Sequence, residues 1–153
     1  MVELLAVLAI LGVLAAMAMP LAQMSAERSR EAELKRALWE IRDALDAYHA
    51  ARLSSAIAAP PGADPAGPDY PPNLHALTLL QPDLRATHRG ESLRFLRQVP
   101  RDPFADPTLD PEQSWGLRGY MSEANKPTPG PEVYDVFSRA SGTALDGVPL
   151  SQW

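Results

Sequence analysis

Three histidines, a run of carboxylates and a pair of serines near the end are the residues of this 153-residue chain with the most chemical promise. Their spacing removes most of it. His49, His75 and His88 are scattered, and none stands four residues from another, the spacing that turns two imidazoles on one helix face toward a metal. His49 follows Tyr48 on an amphipathic stretch and is expected in solvent. Asp102, Asp106 and Asp110 lie in Pro-rich sequence, where Asp caps turns with its own side chain, and they read as solvated turn residues. Ser138 and Ser141 have no base nearby in sequence, and no GxSxG, GxGxxG or P-loop pattern is present. No catalytic residue is assigned, and an enzyme is not expected. One acid is out of place. Glu3 stands at the edge of a long apolar run, where an unpaired charge costs several kcal/mol if buried. Either it marks a membrane boundary and favours the positive end of a helix dipole, or it has a partner and a function.

The element that must position Glu3 is that run. Residues 4–22 carry no charge and consist of apolar residues with Gly12 and Pro20. As a helix they would span roughly 28 Å at about 1.5 Å per residue, close to the ~30 Å hydrocarbon core of a bilayer. A helix satisfies its own backbone hydrogen bonds, which lipid requires, and membrane helices tolerate Gly and Pro. No basic head or small-residue cleavage site gives it the form of a signal peptide. Residues 1–26 therefore read as a transmembrane segment. Beyond them, Leu34, Leu38, Ile41, Leu45 and Tyr48 form one apolar stripe of an amphipathic helix over 27–53, flanked by Ala37, Ala44 and Ala51. Pro20 is expected to bend the combined helix without ending it. Glu31 and Lys35 are spaced as an i,i+4 ion pair. The stripe spans too few heptads for a coiled coil, and packing on the chain's own sheet is the better reading.

Residues 27–153 make one modest domain, rich in loops, since nearly all of the sixteen prolines come after residue 59. Residues 59–72 read as a loop. A short helix is expected over 73–80, with Asn73 as its N-cap. Residues 92–99 read as a helical turn or strand, and strands are expected over 115–121, 133–137 and, weakly, 148–153. The fold class is α+β: a long N-terminal helix packed on a small antiparallel sheet within about 115–153. A net charge of −5 gives no basic patch for nucleic acid, and the absence of Cys leaves no disulfide or thiolate metal site.

Val2-Glu3-Leu4-Leu5-Ala6-Val7-Leu8-Ala9-Ile10-Leu11-Gly12, then Ala-rich sequence and Pro20, closely resembles the N-terminus of type IV pilins and pseudopilins. Tyr70-Pro71-Pro72-Asn73-Leu74-His75-Ala76-Leu77 resembles a segment of major pseudopilin domains. Pro100-Arg101-Asp102-Pro103-Phe104 resembles the one that precedes their sheet. Tyr134-Asp135-Val136-Phe137-Ser138, the Asp146-Gly147 loop and Trp153 resemble their C-terminal end. The family's basic leader and Phe-Thr pair do not precede Val2, and Met1 stands where the family has Leu, so a truncated or misplaced start is expected.

The resemblance implies a pilin-like fold and a structural role, a type II secretion pseudopilin that stacks through its N-terminal helix into a short filament assisting protein export. It implies a prepilin, N-terminal methylation, a single-pass place in the bacterial inner membrane, and a globular domain in the periplasm. The implied partners are the lipid bilayer, other copies, other pseudopilins or pilins, an inner-membrane assembly platform, and a prepilin peptidase acting on the precursor. Glu3 becomes the assembly residue, pairing with a neighbour's N-terminal amine. Major pseudopilins bind Ca²⁺ in a C-terminal loop; here Ser138, Ser141 and Asp146 are the candidates, with Thr143 and Asp135 nearby. That set is poor in acids for an ion that wants six to eight oxygens, and a plain Asp-Gly turn is favoured. Arg28, Arg30, Lys35 and Arg36 alone would place the domain in the cytoplasm, and the family's leader reverses this. The alternatives are a minor type IV pilin serving adhesion, motility or DNA uptake, and a single-span membrane-anchored binding or enzyme domain.

Overall fold

The computed structural model describes residues 2–153 apart from 89 and 124, and the side chains of all of these except 15–22 and 86. It is α+β, with one long N-terminal helix and two small antiparallel ribbons. Helix α1 runs unbroken over Val2–Leu53, 52 residues, or about 78 Å at 1.5 Å per residue. The helix continues through Pro20 without ending there; the apolar side chains of 15–22, and Met1, lie outside the described residues.

The second half of α1 presents the stripe that its periodicity requires. Leu34, Leu38, Ile41, Leu45 and Tyr48 are buried, and Ala37, Ala44 and Ala51 beside them let the rest of the chain approach closely. Onto this stripe pack β3 (Trp115–Arg118) and β4 (Asp135–Ser138), paired antiparallel with Trp115 opposite Ser138 and Arg118 opposite Asp135. Trp115 and Val136 close the core with Ile57, Leu74, Leu77, Leu96, Val99 and Leu150. A second ribbon, β1 (Gln81–Pro82) with β2 (Ser92–Leu93), sits near the C-terminal end of α1, where the Leu84 N–H donates to the Ala56 carbonyl.

Several expected elements are shorter or different. The helix over 73–80 is a 3₁₀ turn, Leu74–Leu77, and Asn73 does cap it, accepting from the Ala76 N–H at 3.0 Å. The strand expected over 115–121 stops at Arg118, because the chain turns back through a Ser122 N–H to Gly119 carbonyl bond. The strand expected over 148–153 is not formed. Only an isolated antiparallel bridge forms, Thr143 opposite Pro149, and beyond it Leu150–Gln152 is a 3₁₀ turn in which the Trp153 N–H bonds the Leu150 carbonyl. Glu31 and Lys35 make no ion pair, since each is drawn to the C-terminal segment. The Leu145 N–H donates to Glu31 Oε1 at 2.7 Å, and Lys35 Nζ lies 4.0 Å from the centre of the Trp153 ring.

Candidate functional site

The first part of α1 is the region whose surface needs an explanation. Val2, Leu4, Leu5, Val7, Leu8, Ile10, Leu11, Val13 and Leu14 are all more than half exposed. An apolar helix bare on every described side cannot stay so in water, because the transfer of that area out of water is favourable whatever covers it. Glu3 lies in the first turn, exposed, with no ion-pair partner among the described residues. Gly12 would accept a Cβ without touching anything within 4 Å, so the chain's own fold does not demand glycine there. Among the described residues no helix is long and apolar enough to cross a membrane; the side chains of 15–22, which complete the uncharged run, are not among them.

The carboxylates of the Pro-rich loop separate. Asp106 and Asp110 are exposed, and Asp106 is a turn residue, accepting from the Thr108 N–H and hydroxyl, bonds that hold its carboxyl below the usual range. Asp102 corrects the expectation: it is 0% exposed. Its Oδ1 accepts from the Phe104 N–H at 2.8 Å and its Oδ2 from the Ser138 hydroxyl at 2.6 Å. A short polar side chain is buried here because both oxygens are satisfied, which offsets the loss of water. Nearby, Trp115 Nε1 donates to the Pro100 carbonyl at 2.8 Å, so two side-chain bonds dock the 100–104 segment on the sheet.

The calcium candidates are placed in different surroundings. Ser138 is buried in β4, its hydroxyl donating a hydrogen bond to Asp102 and accepting one from the Ala140 N–H. Ser141, Thr143 and Asp146 are exposed. Asp146 accepts from the Val148 N–H at 3.0 Å inside a tight turn whose Gly147 has φ 86°, a left-handed angle that glycine adopts at least cost. Asp135 faces away, ion-paired with Arg42 at 2.8 Å and with Arg118 at 3.6 Å. Among the described residues no group of three His, Asp or Glu is placed to hold a metal ion.

The histidines remain apart. His75 meets Glu112 at 3.1 Å on the surface, and His88 meets the Thr87 hydroxyl at 2.8 Å. His49 is not in solvent as expected. It is half-buried, stacked flat on Tyr70 with ring centres 4.4 Å apart, and its Nδ1 is enclosed without a hydrogen-bond partner.

Sequence reasoning passed over one constellation, which ties the end of the chain to α1. Arg42 donates to the Asp135 carboxylate at 2.8 Å, the Val136 carbonyl at 3.1 Å and the Trp153 carbonyl at 2.7 Å. Glu31 and Lys35 add their contacts at earlier turns of the helix, and Arg30 lies 5.4 Å from the centre of the Phe104 ring. The one available signal was charge on residues beside the apolar stripe, which also suits a solvated face. Comparison with family models, with curated proteins and with solved structures finds no match.

Proposed function

We propose that this chain is a structural filament subunit of the pseudopilin kind, anchored in the inner membrane by residues 1–26, with residues 27–153 in the periplasm and assembly proceeding through α1. The observation that carries the reading is the division of one continuous helix. Its first part offers exposed apolar side chains and a lone acid, while its second part is buried on its own domain. A helix so divided can sit in lipid as a monomer and exchange lipid for the same helix of a neighbour. Glu3 then gains a neighbour's amine as its counter-charge where lipid would leave it unpaired. The partners proposed are further copies, related pilins or pseudopilins and an assembly platform, with export of folded proteins as the outcome.

The sequence has no cysteine, so paired cysteines report assembly cleanly. Leu8→Cys and Val13→Cys, expressed together in cells and oxidised, are expected to give ladders of the chain with itself or with pilin-like partners. Monomers alone, at native expression, would overturn the reading. A secretion assay on a deletion strain then separates export from a pilus: lost secretion supports the first, and lost adhesion, motility or DNA uptake the second.

A further inference from the structure

A concavity of about 1170 Å³ lies away from α1's apolar part, between the loop 60–72 and the loop joining β3 to β4. Its floor is aromatic. Tyr70 rests on His49; Tyr134 stands edge-on to Tyr70 and to Tyr120, with ring centres 5.1 and 5.4 Å apart. Tyr120 is 51% exposed and Tyr134 39%, so ring surface remains open to a visitor. Because the rings brace one another, little side-chain freedom is left to lose on binding. Burial, then the neighbouring Tyr134, Asp46 and Tyr120, push the Tyr70 phenol up, so it stays neutral at physiological pH.

The charges around the floor are unbalanced. Arg52 is committed, donating to Asp69 at 2.5 Å and to the Ile57 carbonyl at 3.2 Å. Asp64 and Glu132, which also line the cleft, have no ion-pair partner among the described residues. Each uses one oxygen locally, Asp64 accepting from the Ala66 N–H and Glu132 from the Tyr120 N–H, and the other oxygen has no hydrogen-bond partner among the described residues. Open tyrosine faces, negative at their centres, beside uncompensated carboxylates attract a cation. A planar one that both stacks and forks onto a carboxylate gains most, which favours guanidinium over ammonium. Size and walls say what carries it. The volume exceeds what one side chain fills. Pro60, Pro61, Pro68, Pro129 and Pro131 line it and offer no N–H, so backbone strand pairing is not the mode of recognition.

We propose that this cleft binds an extended, arginine-bearing segment of a protein partner, its guanidinium groups stacking on Tyr120 and Tyr134 and pairing with Glu132 and Asp64. The inference is independent of the filament reading. It is tested on the full chain in a polyoxyethylene detergent by calorimetric titration with acetyl-Gly-Arg-Gly-Arg-Gly-amide, and with the same peptide carrying lysine or neutral citrulline. Saturable binding is expected for the arginine peptide, weaker by about tenfold for citrulline, with lysine between. Tyr120→Ala and Glu132→Gln, the second keeping the acceptor for the Tyr120 N–H, should each weaken it by about threefold or more. No saturable heat up to millimolar peptide overturns the proposal. So does equal binding of the citrulline peptide, which would indicate a neutral polar ligand, or unchanged binding by both variants.

Discussion

Asp83 and Asp102 are both buried acids, satisfied in different ways. The Arg85 guanidinium forks onto Asp83, and the Arg85 N–H adds a bond, so the carboxyl falls to about 2 from an ordinary 3.8 although burial opposes this. A depressed carboxylate contributes stability that is fully present above the unfolded value and is lost as pH falls through the folded one. The thermal midpoint should therefore drop between about pH 4 and 2 more steeply in the native chain than in Asp83→Asn. Parallel curves would remove Asp83 from the acid response. Asp102 has no cation beside it among the described residues; the Ser138 hydroxyl and the Phe104 N–H are its partners. Ser138→Ala should cost about 1–3 kcal/mol by urea denaturation, the penalty for a buried acceptor left unmet. Ser141→Ala, on an exposed side chain, should stay within about 0.5 kcal/mol. If excess calcium widened the first loss by stabilising only the native chain, Ser138 would be a ligand and not an internal tether. Asp102 was legible in the sequence only as a turn former, because burial of an acid depends on a serine 36 positions away.

At the scale of elements, the α1 stripe was readable since its period is local, and each of its five large members is buried. Strand limits were not, because they depend on cross-strand neighbours. β3 ends where Gly119 meets Gly130; a Cβ on Gly119 would lie 2.7 Å from the Gly130 Cα. Within β3, Gly116 sits under its cross-strand partner Phe137, whose ring would come within 2.3 Å of an added Cβ. Gly116→Ala should therefore lower stability by about 1–3 kcal/mol as the ring is pushed off the sheet. A neutral or stabilising result by urea melt would mean that Phe137 has a second rotamer as good. The C-terminal turn failed as a strand for a related reason. The grip of Arg42 on the Trp153 carbonyl, which holds the turn against α1, spans 111 positions.

The whole molecule is divided by what the core uses. No buried hydrophobic residue precedes Leu34 among the described ones, and the contacts nearest the N-terminal side are Arg30 with Phe104 and Glu31 with the Leu145 N–H. A chain beginning at Glu27 keeps both, and keeps the complete stripe that packs on β3 and β4. It loses only apolar surface that its own domain does not cover. That fragment should thus be soluble and monomeric by sedimentation, with a cooperative thermal transition by circular dichroism. Without detergent the full chain should associate, driven by the bare side chains from Val2 to Leu14. The helix makes the fragment's success a real test, since a free helix of that length is marginal in water without tertiary packing. An insoluble or non-cooperative fragment would mean that residues before Glu27 help to hold the domain together. In that case the proposal that the first part of α1 is surface kept for lipid or for a neighbouring subunit would lose its support.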